Sequence, residues 1–214
     1  MTKEGLLTRG RIQGVAFDCF GTLVEVTEPK GVHATIARIV GGRMDPSPMV
    51  RDWRIVDMVR RAAPHAATED LDRLQADIDA EIASIRFMAG AKETYETFSR
   101  SGFDIILASN LASDYAEPLW DMLDTEFRCL SCVMETVKPE PTFFHDLINH
   151  FCWPIEELLM VGDSYRSDYL GAKAAGMQAV LIGATDVPEV EAVPDISALP
   201  EWFEARWGST EAGA

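Results

Sequence analysis

Polar residues in this chain stand at or just beyond four places where apolar runs give out. Asp18 ends the run V-A-F-D, and Gly21-Thr22 follows it; Ser109-Asn110 end I-I-L-A-S-N; Lys138 lies in the loop beyond R-C-L-S-C-V-M-E-T-V. Asp163 ends L-L-M-V-G-D, and Asp168 follows five residues later. A carboxylate placed where a buried strand runs into a tight turn is a common way to build a reactive acid group. Any one of these residues alone would read as a turn or a helix cap. Four strand ends carrying polar residues in one chain point instead to a shared site, because ligands of a doubly wound sheet bind at the carboxyl ends of its strands.

The elements that must hold these residues can be read from the apolar pattern. Residues 12–17, I-Q-G-V-A-F, predict a short strand into Asp18. From Phe87 onward helices alternate with apolar runs: a helix over Ala91–Ser101 ended by Gly102, strand F-D-I-I-L-A-S-N, and a helix near Tyr115–Leu123. Strand R-C-L-S-C-V-M comes next, then a helix from Pro141 bearing Phe144, Leu147, Ile148 and Phe151. Strand L-L-M-V-G-D, helix D-Y-L-G-A-K-A-A-G and strand Q-A-V-L-I-G complete the series. This alternation predicts a Rossmann-like α/β core with a parallel sheet covered on both faces.

Residues 27–87 differ in character. Ser47-Pro48 reads as a helix start, with a capping hydroxyl and a proline in the first turn, followed by Met49, Trp53, Val56 and Val59 at helical spacing. A second stripe, Leu71, Leu74, Ile78, Ile82 and Ile85, keeps the same period with charges between. The expected organisation is therefore a core domain over 1–26 and 88–214 with a small α-helical cap inserted at 27–87. Trp53 and Met58 either line its substrate entrance or pack its interior, and the tail T-E-A-G-A is expected to fray.

Bulk properties narrow the partners. The chain has 214 residues, 47% of them hydrophobic, with a formal net charge of −16. Mean hydropathy is −0.02 and the isoelectric point is about 4.5. So acidic a surface repels a phosphate backbone and disfavours nucleic acid. No apolar run reaches the roughly 18–20 residues that span a bilayer, and M-T-K-E-G-L-L-T-R-G-R lacks a signal-type apolar segment. A cytoplasmic protein with no membrane partner is expected. Its substrate is then a small molecule; an anion remains compatible, since a metal ion and a lysine can reverse the local field. Cys129 and Cys132, read as one strand, point to opposite faces and read as packing residues rather than a zinc or redox pair. His33 and His65 lie in the insert; His145 and His150 are about 140° apart around a helix and are not a metal pair, so surface or packing roles are expected.

Taken together, Asp18-x-x-Gly21-Thr22, Ser109-Asn110, Lys138-Pro139 and Gly162-Asp163-x-x-x-x-Asp168 resemble the haloacid dehalogenase-like (HAD) hydrolase superfamily. The four signatures occur in order between about Val15 and Gly183, and the helical block lies where that family inserts a C1-type cap. The resemblance implies that Asp18 is a nucleophile forming an aspartyl intermediate. It implies that Thr22 and Ser109 or Asn110 donate hydrogen bonds to a phosphoryl group, and that Lys138 neutralises charge on the nucleophile and the transferred group. Asp163 and Asp168, with Asp18 and the backbone carbonyl of Phe20, would hold Mg²⁺, a hard cation suited to oxygen ligands. A solvated loop lysine is the alternative for Lys138, and a helix cap for Asp168.

One position departs from the phosphatase pattern. Where those relatives carry a second aspartate that protonates the leaving group, this chain has Phe20. The loss removes help typically worth about 10²–10⁴-fold. L-2-haloacid dehalogenases carry an aromatic residue there, in D-x-Y-G-T, close to D-C-F-G-T here; but they work without metal and lack G-D-x-x-x-x-D. They hold halide with a cap arginine, for which Arg51, Arg54, Arg60 and Arg61 are available. Phosphonatases need a cap lysine, and the insert has only Lys30, at its start. The expected activity is a Mg²⁺-dependent hydrolase of a small phosphorylated metabolite. The alternatives are a 2-haloacid dehalogenase, for which Phe20 would contact substrate, and a HAD-fold binding or regulatory protein that has lost catalysis.

Overall fold

The computed structural model describes residues 6–42, 52–125 and 127–208. In chain order, β1 (Gly14–Phe17) leads to β2 (Val24–Val26), then to three helices, α1 (Val32–Val40), α2 (Ile55–Ala62) and α3 (Thr68–Ala83). The chain continues with β3 (Ile85–Phe87), α4 (Ala91–Arg100), β4 (Asp104–Ser109), α5 (Ser113–Met122), β5 (Phe127–Leu130), α6 (Ser131–Met134) and α7 (Pro141–His150). It ends with β6 (Leu158–Gly162), a π-helical turn (Tyr165–Leu170), α8 (Gly171–Ala175), β7 (Gln178–Ile182), β8 (Ala192–Val193) and α9 (Leu199–Trp207).

Six strands form one parallel sheet in the order β5-β4-β1-β6-β7-β8, while β2 and β3 pair antiparallel on their own. The expected Rossmann-like α/β architecture is therefore present. β1 is central: the chain leaves it to build β4 and β5 on one side and later returns to build β6 on the other. A crevice opens at such a switch point, above the strand ends.

Strand periodicity divides the core into two layers. Val15 and Phe17 of β1, Ile105 and Leu107 of β4, and Leu159 and Val161 of β6 face one cluster, which α4 and α9 cover with Phe98 and Phe203. Ala16, Ile106, Ala108, Leu158 and Met160 face the other, covered by Phe143, Phe144 and Leu147 of α7. These strands are apolar on both faces because both faces are buried. A third cluster joins α1, α2 and α3 through Val32, Ile36, Val59, Leu74 and Ile78, with Ala112 from the start of α5.

Several local expectations are corrected. β5 ends at Leu130, and Ser131–Met134 turns helical, so Cys132 is not a strand residue. Cys129 and Cys132 are nevertheless buried free thiols, as is Cys19, whereas Cys152 is exposed. The α3 stripe stops before Ile85, which belongs to β3, because the β2–β3 pairing takes over there. α2 begins at Ile55, leaving Trp53 outside it beneath the Arg61 guanidinium, 4.5 Å from the ring centroid, while Met58 is buried. Ser47, Pro48, Met49, Arg51 and the tail T-E-A-G-A lie outside the described residues. Among the described residues, no helix is long and apolar enough to cross a membrane.

Candidate active site

Asp18 is delivered by β1. Its N–H donates to the Val161 carbonyl at 2.9 Å, extending the ladder with β6 one residue beyond the strand. The chain then turns tightly: the Cys19 carbonyl accepts from the N–H groups of Leu23 at 2.8 Å and Val24 at 2.9 Å. Gly21 sits in this turn at φ +83°, and a Cβ there would lie 2.3 Å from Oδ2 of Asp163. Both the backbone conformation and the packed carboxylate require glycine. Gly162, at the end of β6, is fixed by the same kind of contact, since a Cβ there would lie 2.3 Å from Oδ2 of Asp168. The glycines of two signatures thus make room for the carboxylates of one cluster.

Lys138 is a buried residue, 4% exposed, and not a solvated loop lysine. Its Nζ donates to Asp18 Oδ1 at 2.8 Å, to Asp168 Oδ1 at 2.6 Å and to the Ala108 carbonyl at 2.5 Å. All three ammonium hydrogens therefore have acceptors. Burial alone would lower the basicity of the amine, but the charges of Asp18 and Asp168 outweigh it and hold its pKa above the ordinary lysine value. Asn110 seats this loop with both halves of its amide: Oδ1 accepts from the Lys138 N–H and Nδ2 donates to the Lys138 carbonyl, each at 2.8 Å.

Asp168 lies inside the π-helical turn rather than at its cap. The Ser164 hydroxyl accepts from Ser167 N–H at 3.1 Å, and Oδ2 of Asp168 reaches back to the Ser164 N–H at 2.9 Å. Burial pushes the Asp168 carboxyl up to about 6; Asp18 adds to this, against the pull of Lys138. Asp163, although exposed as a residue, is also raised, by partial desolvation of its carboxyl and then by the charge of Asp18. Carboxylate oxygens of Asp18, Asp163 and Asp168 all lie within 4.8 Å of one another. One ammonium leaves two of these three negative charges uncompensated. Carboxylates at this spacing disfavour their own ionisation unless a cation joins them, and an all-oxygen donor set of this kind fits Mg²⁺.

The remaining expected residues are placed around this cluster. Ser109 is buried beside Cys19, whose pKa is pushed up by burial and then by Asp18. Thr22 is fully buried, and its Oγ1 has no hydrogen-bond partner. Phe20 is half-buried, with its ring edge-on to Tyr115 at a centroid distance of 5.9 Å.

Beyond Phe20 lies a cavity of about 400 Å³ between the sheet side and the helical insert, lined in part by Phe20, Val32, Ile36, Ile55, Asn110 and Tyr115. Three consecutive residues of α5 tie the insert down beside it. Ser113 Oγ donates to the Trp53 carbonyl at 2.9 Å, Oδ2 of the buried Asp114 accepts from Ile55 N–H at 2.8 Å, and the Tyr115 hydroxyl donates to Glu81 Oε2 at 2.5 Å. Glu81 also accepts from Lys30 N–H at 2.7 Å. These contacts are not foreseen from the sequence, although one signal existed. Glu81 falls on the buried face of α3, three residues after Ile78, where an apolar residue would be expected.

Residues 136–200 match a family model described as HAD-hydrolase-like. This part of the chain is thus similar to the HAD-like hydrolases. A phosphoglycolate phosphatase from Pseudomonas fluorescens is 27% identical over 195 residues, spanning 82% of this chain and 71% of that protein. A 2-haloacid dehalogenase from Pseudomonas syringae pv. Tomato shares the fold with a TM-score of 0.64 at 20% identity, over 92% of this chain and 99% of its own. A HAD family enzyme from Bacteroides thetaiotaomicron, solved with magnesium and inorganic phosphate, aligns with a TM-score of 0.60 at 14% identity, over 83% of this chain and 98% of its own.

Proposed function

We propose that this protein is a HAD-like hydrolase, a Mg²⁺-dependent phosphatase acting on a small phosphorylated metabolite through an aspartyl intermediate. One observation carries the reading: the carboxylates of Asp18, Asp163 and Asp168 cluster within 4.8 Å, with Lys138 bridging Asp18 and Asp168. In this mechanism a carboxylate oxygen of Asp18 attacks phosphorus as the bond to the leaving oxygen breaks. Water then attacks the aspartyl phosphate, releasing inorganic phosphate and restoring the carboxylate. Lys138 pairs with Asp18 and fixes it in position. The Thr22 hydroxyl, buried without a partner, and the Ser109 hydroxyl are donors for the phosphoryl oxygens. Asn110 contributes by seating Lys138. Asp18, Asp163, Asp168 and the Phe20 carbonyl would hold Mg²⁺, which when bound supplies charge stabilisation to the phosphoryl group. Residues 27–87 serve as the cap over this site, and the enzyme works in the cytoplasm.

A dehalogenase reading has one observation in its favour, the aromatic Phe20 beside Asp18. Against it, Asp163 and Asp168 have no use in a metal-free halide site. Arg54 pairs with Asp114 and Glu117, Arg60 with Asp57, and Arg61 stacks on Trp53, and none of the three lines the cavity beside Phe20. The deciding experiment follows free phosphate and free halide over a substrate panel, with Mg²⁺ and with EDTA. Phosphate release that requires Mg²⁺ is expected. Replacing Asp163 with Asn should weaken Mg²⁺ binding by calorimetry by roughly tenfold or more, since even outer-shell partners cost that much, and should lower turnover with it. Halide release in full chelator would establish the dehalogenase, and Mg²⁺ binding without any turnover the non-catalytic protein.

A further inference from the structure

The cavity beside Asp18 is unlike the cleft it adjoins. It begins at Phe20 and Asn110, two residues from Asp18 and one from Ser109, and its walls are mainly aliphatic and aromatic. No lysine or arginine side chain lines it among the described residues. Its buried carboxylate, Glu81, adds negative charge to the wall that holds Tyr115. A second anionic group on a substrate would meet no counter-charge there and would be repelled by Glu81, so desolvating it would be unfavourable. An uncharged ring would instead meet aliphatic walls and the edge-to-face pair of Phe20 and Tyr115, a surface suited to aromatic contact.

The wall nearest Asp18 lacks an acid. Phe20 carries no proton to give, the Tyr115 hydroxyl is committed to Glu81, and both halves of the Asn110 amide are committed to Lys138. A leaving oxygen that departs into this cavity must therefore carry its electron pair away as an anion and take its proton from water afterwards. We propose that the cavity is the leaving-group site for a phosphate monoester of an acidic hydroxyl, an aryl or enol phosphate with an uncharged, apolar body. This rests on the phosphatase reading of the same site. The step balances without any further reagent. The Asp18–phosphorus bond forms, the phosphorus–oxygen bond breaks, and the aryloxide or enolate leaves. Water then cleaves the aspartyl phosphate to phosphate and one proton, which neutralises the departed anion.

The test is a series of ring-substituted phenyl phosphates and naphthyl phosphate, run with Mg²⁺ beside phosphoglycolate and simple alkyl phosphates. The readout is kcat/KM by phosphate release, which reports the steps up to cleavage of the ester bond. Naphthyl phosphate should exceed phosphoglycolate by about 100-fold or more, the lower end of what a general acid ordinarily contributes, and rates in the phenyl series should fall steeply as the phenol becomes less acidic. Equal rates on aryl and alkyl esters, or a preference for phosphoglycolate, would overturn the inference while leaving the phosphatase intact. Among the described residues lining the cavity, His33, exposed on its rim, is the candidate for a hidden acid. A shallow dependence that becomes steep in His33→Ala would identify the imidazole as that acid and likewise overturn the inference. Absence of phosphate release from every ester would remove the phosphatase reading itself, and the leaving-group assignment with it.

Discussion

The cleft above β1, β4 and β6 and the cavity between α1 and α5 meet at Phe20 and are built on opposite principles. In the cleft the charged cluster is held by specific partners: Lys138 uses all three hydrogens, and Gly21 and Gly162 leave no room even for a methyl group. In the cavity the walls are mainly hydrophobic side chains, and the polar groups of Glu81, Tyr115 and Asn110 are engaged by the bonds they already make. The first arrangement dictates one chemistry. The second selects by size and polarity and can be altered without disturbing the first.

Asp18→Asn tests the cleft most severely. The amide is nearly isosteric but a poor nucleophile, so phosphate release should fall on the order of 10⁴-fold or more, as expected when a nucleophile is removed. Circular dichroism should show the fold unchanged. Near-normal activity would make Asp18 a turn residue and the cleft a structural feature only.

Lys138→Met should be the most destabilising change in the cleft. Removing one partner from a buried charge cluster costs about 3–5 kcal/mol, read by denaturant titration in EDTA. Added Mg²⁺ should recover part of the loss, because it would neutralise the same three carboxylates. No recovery would contradict the cation site.

Phe20→Asp sits on the boundary and separates the two regions. Restoring a carboxyl where an acid is missing should raise hydrolysis of alkyl phosphates by up to about 10²-fold and do little for p-nitrophenyl phosphate, whose leaving group departs readily as an anion. The added charge beside Asp18 should lower stability slightly. A uniform loss on all substrates would mean that the ring shapes the pocket and no acid is wanted.

Tyr115→Phe touches only the cavity. It keeps the ring against Phe20 but deprives the buried Glu81 of its hydroxyl donor, which should cost about 1–2 kcal/mol of stability, measured by thermal or chemical unfolding. Turnover of aryl phosphates should change less than stability does. A large selective loss of turnover would instead place the hydroxyl in the reaction.

What could be read from the sequence follows the same division. Asp18, Asp163 and the Ser109-Asn110 pair were legible because an apolar strand followed by a polar residue is a local signal, and a parallel sheet brings such ends to one edge. Lys138 was legible as a polar residue beyond an apolar run, but its place beside the carboxylates only through its family motif, since nothing local puts a loop lysine among them. Asn110 escaped its true partner because its bonds run to the Lys138 backbone 28 residues away, and backbone partners leave no trace in residue identity. α6 was missed because R-C-L-S-C-V-M is apolar throughout, and burial on all sides erases the difference between the strand and helix periods. The β2–β3 pair and α9 have too few residues in pattern to stand out against their neighbours.

The attachment of α5 to the insert has a mechanical consequence. Ser113, Asp114 and Tyr115 bind three separate points, the Trp53 carbonyl, the Ile55 N–H and the Glu81 carboxylate, and Asn110 lies only three residues before Ser113. A motion that parts α1–α3 from the sheet must break these bonds together or drag the first turn of α5 with it. In the second case the pull reaches Asn110 and, through its paired amide bonds, the backbone of Lys138. Access to the cavity and alignment of the charged cluster are thus geared to one another, with the start of α5 as the shared axle.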